Sequence, residues 1–291
     1  MLKGSIVALV TPMDAHGDVE WTALEALVEW HIESGTDGIV PMGTTGESAT
    51  LDTDEHLQVI KRTIDIVAGR VPVIAGTGSN ATAEAIHQTQ QAQAAGADAC
   101  LLVTPYYNKP TQAGLIAHYE AVAAACDVPL VLYNVPPRTA CDLLAETVAT
   151  LSVHPKIIGI KEACGDASRV GAIRQLVDDE FVILSGEDAQ TLDMLDLGAT
   201  GTISVTANVC PREMAEFLNA YLSGDRDAAV ALDAKLQPLH EILFVEPNPT
   251  PAKWALHLMG KIGPGIRLPL MPLTQANEAQ LRARLSHIGA L

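Results

Sequence analysis

The chain of 291 residues has few aromatic residues and few positive charges. Phe, Trp and Tyr account for 4% of it while the hydrophobic share is 48%, so aliphatic side chains must fill a large core and disorder is not expected. Lys and Arg number 18 against 35 Asp and Glu, which gives a net charge of −17. Nucleic acids and anionic membranes require a basic surface, so we expect no partner of either kind.

Cysteine, histidine and long apolar runs are also arranged in ways that exclude several classes of protein. The five cysteines are widely spaced without any C-x-x-C pair, which argues against a disulfide framework or a zinc knuckle. The nine histidines form neither H-x-H nor H-E-x-x-H, so we expect no metal site. The apolar run Ile6–Val10 is too short for a signal peptide, and no run approaches the roughly 20 residues of a membrane helix. Free thiols and a cytoplasmic location are therefore expected.

Eight short runs rich in Val, Ile and Leu recur along the chain without polar alternation, as in strands that are buried on both faces. They are Ser5–Val10, Asp37–Met42, Val71–Gly76, Ala99–Val103, Pro129–Asn134, Lys156–Lys161, Phe181–Ser185 and Ala199–Val205. Apolar residues at helical spacing separate the runs. Eight such units predict an α/β protein with a (β/α)8 TIM barrel, in preference to an open doubly wound sheet.

The strand pattern stops after about residue 210, and helical spacing continues to the end of the chain. One apolar helix face is formed by Leu232, Leu236, Leu239, Ile242 and Leu243. We therefore predict a catalytic barrel over residues 1–224 and a C-terminal helical appendage over residues 225–291.

Candidate functional residues follow the predicted strands, because the active sites of such barrels lie at the C-terminal ends of the strands. The segment Gly43–Ser48 can form either a small anion nest suited to a carboxylate or an ordinary glycine-rich turn. The segment Gly76–Ala81 matches the dinucleotide motif G-x-G-x-x-A. That motif expects an acidic residue at the end of the next strand, whereas Asp98 precedes the next strand, so a plain turn is the preferred interpretation.

Tyrosine and arginine are concentrated after the fourth and fifth runs. Three of the five tyrosines lie there, namely Tyr106, Tyr107 and Tyr133. Their hydroxyl groups can pass protons, although packing in a loop or at a subunit contact would explain each one singly. Arg138 offers a planar fork that matches a carboxylate.

Lys161 ends the sixth run after four residues without charge. Strand alternation places Ile157, Gly159 and Lys161 on one face, which would bring the lysine to the mouth of an apolar lumen. A lysine in such a place either pairs with a carboxylate, for which Glu162 and Glu187 are candidates, or acts as a neutral nucleophile that forms a Schiff base. The residues alone leave both interpretations open.

Taken together, the strand-end motifs resemble the dihydrodipicolinate synthase family, and the similarity runs essentially from end to end. The motifs are GTTGES at 43–48, TPYYN at 104–108, YNVPPRT at 133–139, IIGIKEA at 157–163 and FVEPNP at 244–249. The resemblance implies a lyase that condenses pyruvate with L-aspartate 4-semialdehyde through a lysine Schiff base, without a cofactor, in lysine and diaminopimelate biosynthesis. An alternative is another pyruvate Schiff-base lyase such as N-acetylneuraminate lyase, against which Arg138 in YNVPPRT favours the synthase.

The resemblance also implies a role for each site residue, and a homotetramer built as a dimer of dimers in which the neighbouring subunit supplies Tyr107. The catalytic residues would be Lys161, Tyr133, Thr44 and Tyr107. The substrate-binding residues would be Thr45, Arg138, Gly186 and Ile203. An allosteric site for inhibitory L-lysine would consist of Ser48, Ala49, His56, Asn80, Glu84 and Tyr106.

The chain departs from the family pattern in two places. Pro137 and Ala140 flank Arg138 and Thr139 where Ser and Gly are usual, and Thr53 stands where relatives carry His. Neither departure removes a group with an implied catalytic role. The intact set of Lys161, Tyr133 and Thr44 argues against a catalytically inactive barrel that serves only as a binding protein.

Overall fold

The computed structural model describes residues 2–291, in which eight strands alternate with helices. The strands are β1 Gly4–Ala8, β2 Gly38–Val40, β3 Ile74–Gly76, β4 Ala99–Val103, β5 Leu130–Asn134, β6 Ile157–Glu162, β7 Val182–Ser185 and β8 Gly201–Ser204. The helices are α1 Trp21–Glu33, α2 Thr53–Val67, α3 Thr82–Ala95, α4 Gln112–Ala125, α5 Pro136–Thr139, α6 Ala145–Ser152, α7 Ser168–Arg174, α8 Thr191–Asp196, α9 Pro211–Leu222, α10 Arg226–Ile242, α11 Thr250–Leu258 and α12 Gln275–His287. Every predicted run overlaps one strand.

The eight strands form one parallel sheet in the order β2-β1-β8-β7-β6-β5-β4-β3. The two end strands approach each other through the parallel bridge between Ile39 and Val73, and the Ile39 N–H donates to the Pro72 carbonyl at 3.0 Å. This contact closes the sheet into a barrel. The TIM-barrel prediction is confirmed.

Side chains of the strands alternate between two aliphatic layers, as expected for strands covered on both faces. The lumen is filled by residues such as Ile6, Leu101, Val131 and Leu184, while the opposite faces pack under the surrounding helices. Aliphatic residues dominate both layers, in agreement with the composition.

The predicted orientation of Ile157 in β6 is wrong. Ile157 packs in the outer layer under the helices, and Ile158 packs against the lumen. The register between β5 and β6 shifts by one residue at this point: Leu130 pairs with Ile157, and the next residue, Val131, pairs with Gly159. This irregularity leaves Ile158 as an extra residue, so simple alternation counted back from the lysine fails.

The C-terminal helices pack on the barrel and contribute to its outer aliphatic layer. They are also tied to the loop after β2 by a buried ion pair between Lys253 and Glu47, whose side chains are 4% and 1% exposed. The second oxygen of Glu47 accepts a hydrogen bond of 3.0 Å from the Arg267 N–H. Lys253 and Arg267 therefore hold a loop at the C-terminal face of the barrel. No helix within residues 2–291 is long and apolar enough to cross a bilayer.

Candidate active site

Lys161 lies inside the barrel, near the C-terminal end of β6. It is 6% exposed and lines a cavity of about 60 Å³ together with Tyr133. Its Nζ atom lies 4.5 Å from the centre of the Tyr133 ring. Within residues 2–291 it forms no salt bridge, so neither of the ion pairs considered, with Glu162 or with Glu187, is present. An amine without a carboxylate partner, enclosed beside a cavity, is suited to react with a carbonyl group.

Gly186 makes room for the lysine side chain directly after β7. A Cβ atom at this position would lie 2.9 Å from Lys161 Cε and 2.7 Å from Ala163 Cβ. The Gly186 N–H donates to the Glu162 carbonyl at 2.7 Å, which fixes the loop against β6. Only glycine fits this close approach without displacement of its neighbours.

The loop after β2 forms a polar wall of the same cavity. Thr44 and Thr45 both line it and begin a single 3₁₀ turn that extends to Gly46. The first N–H groups of such a turn have no acceptor within it, so they remain available to an anion. The Thr45 hydroxyl also accepts a hydrogen bond of 3.0 Å from Asn248 Nδ2.

Arg138 lies on α5 and lines this cavity as well as a larger one beside it. Pro137 occupies one of the first positions of the helix, where the missing N–H would have no acceptor within the helix. Ala140 ends the helix with φ of 55°, a left-handed conformation that glycine adopts with less strain. Pro137 therefore costs no helical hydrogen bond, whereas Ala140 retains the backbone bend despite its side chain.

The larger cavity has a volume of about 370 Å³ and shares Thr44, Val135 and Arg138 with the smaller one. It is lined by five of the six residues of the implied lysine site, namely Ser48, Ala49, His56, Glu84 and Tyr106, and also by Thr53. Asn80 is outside this lining, and its carbonyl accepts a hydrogen bond of 2.8 Å from Asn108 Nδ2.

The side chains of the larger cavity include one carboxylate and one neutral imidazole. Glu84 accepts a hydrogen bond of 2.6 Å from Ser79 Oγ. His56 Nε2 lies 2.8 Å from the Gly76 carbonyl, and burial lowers the pKa of His56 below its usual value. The cavity therefore offers a negative carboxylate and polar groups to a ligand that carries an ammonium group.

The tyrosines do not all reach the cavities of their own chain. Tyr133 lines the smaller cavity and Tyr106 the larger, whereas Tyr107 is 88% exposed and lines neither. Tyr107 also has a positive φ of 74°. Within the described chain, no hydrogen bond joins Thr44 to Tyr133.

The glycines of the Gly76–Ala81 segment are explained by close backbone packing. A Cβ atom at Gly76 would lie 2.1 Å from the Met42 carbonyl oxygen, and one at Gly78 would lie 2.4 Å from the Val103 nitrogen. The neighbouring strands leave no space for side chains here. This finding supports the interpretation of the segment as a plain turn.

Comparison with known proteins identifies the family. The model of the dihydrodipicolinate synthetase family matches residues 1–288. The chain belongs to this family. A relative from Alcanivorax borkumensis, named 4-hydroxy-tetrahydrodipicolinate synthase, is 56% identical over 291 residues. The alignment covers 100% of this chain and 99% of the relative. A relative of the same name from Pseudomonas savastanoi is 55% identical, with 100% of both chains covered.

Solved structures of the family share the fold. The chloride-inhibited dihydrodipicolinate synthase of Acinetobacter baumannii, solved in complex with pyruvate, matches with a TM-score of 0.98 and 51% identity over 100% of both chains. The enzyme of Cyanidioschyzon merolae, solved with lysine bound, matches with a TM-score of 0.96 and 40% identity over 99% of both. The resemblance read from the motifs is confirmed.

Two residues of the smaller cavity had no ligand-binding role in the sequence interpretation. Asn248 supports Thr45, and its backbone carbonyl lies 3.5 Å from Arg138 Nη2. Its signal was its place in the FVEPNP motif, but nothing in the sequence shows which loop it contacts. Glu187 was considered only as an ion-pair partner of Lys161, and the structure places it in the wall of the cavity without such a pair.

A polar network lies behind the catalytic face, between β5, β6 and the loop after α5. Glu162 is 0% exposed and accepts hydrogen bonds from Asn134 Nδ2 at 3.0 and 3.2 Å and from the Cys164 N–H at 2.9 Å. Asn134 also donates to Asp142 at 2.8 Å and accepts from the Leu143 N–H at 3.0 Å. Burial raises the pKa of Glu162 to about 7, although the hydrogen bond from Asn134 opposes the shift.

Proposed function

We propose that the protein condenses pyruvate with L-aspartate 4-semialdehyde to give 4-hydroxy-tetrahydrodipicolinate, the first committed step of lysine and diaminopimelate biosynthesis. The observation that carries the proposal is the buried Lys161 amine, which has no carboxylate partner among residues 2–291 and lines a cavity beside two threonines. Relatives that are named for this synthase and are 55% and 56% identical over the whole chain support the same reaction.

The reaction begins when Lys161 adds to the C2 carbonyl of pyruvate, and loss of water gives a Schiff base. The iminium group draws electrons from the methyl group, so removal of a methyl proton yields an enamine. The enamine carbon then adds to the aldehyde of the second substrate. The amine of that substrate displaces Lys161 by transimination and closes the ring. Because the iminium is itself the electron sink, the chemistry requires no additional cofactor.

The residues around the cavity fit the steps of this scheme. Thr44 and Thr45 supply hydroxyl and N–H donors for the pyruvate carboxylate, and the backbone near Gly186 and Ile203 completes the pocket. Tyr133 lies against the lysine amine, where its hydroxyl can deliver and collect protons. Arg138 lies on α5 at the wall of the same cavity, where its planar fork can bind the carboxylate of the semialdehyde.

The proposal includes a homotetramer built as a dimer of dimers, with Tyr107 completing the proton relay of a neighbouring subunit. The 88% exposure of Tyr107 in a single chain supports a contact outside that chain. The catalytic unit would be the barrel of residues 1–224, and the helical appendage of residues 225–291 would hold the loop that contains Thr44. A cytoplasmic location completes the proposal, supported by five cysteines without disulfides.

L-lysine is the proposed inhibitor and the larger cavity is its proposed site. Glu84 provides a carboxylate for an ammonium group, and the larger cavity shares Thr44 and Arg138 with the smaller one. A ligand there would therefore contact residues that also serve the reaction. The structure of the Cyanidioschyzon merolae relative with lysine bound supports this assignment.

Borohydride reduction in the presence of pyruvate, followed by peptide mass mapping, tests the function. We expect a covalent adduct on the peptide that contains Lys161, and turnover of L-aspartate 4-semialdehyde but not of N-acetylneuraminate in a coupled assay. Arg138→Ala is expected to keep the adduct while turnover of the semialdehyde falls by about 100-fold, because a bidentate contact to the carboxylate is lost. An adduct on another lysine would overturn the site assignment, and loss of the adduct in Arg138→Ala would overturn the role of the arginine.

A further inference from the structure

Glu187 is the only carboxylate among the described residues that line the smaller cavity. It follows Gly186 at the C-terminal end of β7, and it shares the cavity wall with Lys161 and Arg138. Its side chain is half-buried and makes neither a hydrogen bond nor a salt bridge within residues 2–291. A carboxylate that faces a cavity without a protein partner can accept hydrogen bonds from a ligand that carries donor groups.

The backbone of Glu187 is fixed, so its side chain begins from a defined position in the cavity wall. Its N–H donates to Ser185 Oγ at 3.2 Å, and its carbonyl accepts from Ser185 Oγ and from Thr191 Oγ1, both at 3.1 Å. Ser185 and Thr191 are both 0% exposed. The hydrogen bonds from these buried hydroxyl groups hold the backbone of the glutamate in place.

Two positively charged side chains, Lys161 and Arg138, act on the carboxyl group of Glu187. Burial raises the pKa of the Glu187 carboxyl, while the positive charges of Lys161 and Arg138 act in the opposite direction. The glutamate is therefore within electrostatic range of both the reacting amine and the guanidinium. No other acid of the described chain lines this cavity. Asp188, the next residue, instead accepts hydrogen bonds from the Val205 and Thr206 N–H groups at 2.9 and 2.8 Å.

The second substrate has three groups that need partners. Its aldehyde carbon must approach the enamine on Lys161, and its carboxylate matches Arg138. The carbon that bears the ammonium group lies between these two ends of the molecule. From this geometry we infer that Glu187 binds the ammonium group of the amino-acid aldehyde and selects aldehydes that carry it. The inference rests on the proposed function, and three fixed points on one chiral carbon chain would also select the L configuration.

The test compares Glu187→Gln, which keeps the size of the side chain, with Glu187→Asp, which keeps its charge. Glu180→Gln is the matched control, since Glu180 is exposed in the loop before β7. For Glu187→Gln we expect kcat/KM for L-aspartate 4-semialdehyde to fall by about 10- to 100-fold, as for a lost hydrogen bond to a charged group. The KM for pyruvate and the Lys161 adduct are expected to stay within about twofold. Glu187→Asp is expected to recover part of the loss.

Succinic semialdehyde separates ammonium binding from a general effect, because it has the same aldehyde and carboxylate without the amine. Its inhibition constant against the natural aldehyde is expected to change less than about twofold in Glu187→Gln. An equal loss for both aldehydes, a parallel change in the KM for pyruvate, or unchanged kinetics would overturn the inference. If the unmodified protein forms the pyruvate adduct but does not turn over L-aspartate 4-semialdehyde, the proposed function fails instead.

Discussion

Replacement of Glu162 by Gln is predicted to flatten the pH dependence of stability. Burial raises the pKa of Glu162 to about 7 from an ordinary value of 4.5, so the folded protein holds this proton more tightly than the unfolded chain does. The stabilisation is fully present below the unfolded pKa and is lost as the pH rises through the folded pKa. Between about pH 5 and about pH 8 this single group removes about 2–3 kcal/mol from the free energy of unfolding.

The assay is denaturant unfolding at a fixed protein concentration over this pH range, with Glu146→Gln as the control, because Glu146 is exposed on α6. Other groups titrate as well, so the informative quantity is the difference in pH slope between the variant and the unmodified protein. Glu162→Gln is expected to lose most of that 2–3 kcal/mol change, while the control keeps it. An unchanged slope in Glu162→Gln would refute the assignment of a raised pKa to this carboxyl.

Two further substitutions test the packing around the site. Gly186→Ala places a Cβ atom 2.9 Å from Lys161 Cε, so formation of the pyruvate adduct is expected to slow by about 100-fold or more. The control Gly171→Ala, where the nearest atom would lie at 3.6 Å, is expected to have little effect. A normal rate of adduct formation in Gly186→Ala would contradict this prediction. Lys253→Met leaves Glu47 buried without its partner, and denaturant unfolding is expected to show a loss of about 3–5 kcal/mol, much of it recovered when Glu47→Gln is added. If the loss in the double variant equals the sum of the losses in the two single variants, the two side chains are not coupled.

The barrel was predictable because its signal is local. A buried parallel strand needs a short aliphatic run, and each of the eight runs could be seen without knowledge of its neighbours. The position of Lys161 followed from the same pattern, since a single charge at the end of an apolar run marks the mouth of a barrel. The motifs after the strands then identified the family.

The remaining errors and omissions arose from information that the local sequence does not carry. The face of Ile157 was wrong because the register shift at Ile158 depends on pairing with β5, and a period of two cannot reveal it. The contact of Asn248 with Thr45 joins positions 203 residues apart. The space that Gly186 leaves for the lysine likewise depends on how closely β6 and β7 approach in three dimensions.

The closure of the barrel between β2 and β3 has a consequence for motion. Elsewhere in the described chain, neighbouring strands are joined by ladders of two or more residue pairs, whereas these two meet at a single bridge between Ile39 and Val73. The loops that leave this junction contain Thr44 on one side and Gly78 on the other, and both residues line the larger cavity. Amide protons at the junction should therefore exchange with solvent sooner than those of the ladders. A molecule that contacts both loops should slow this exchange, because it would hold β2 and β3 together.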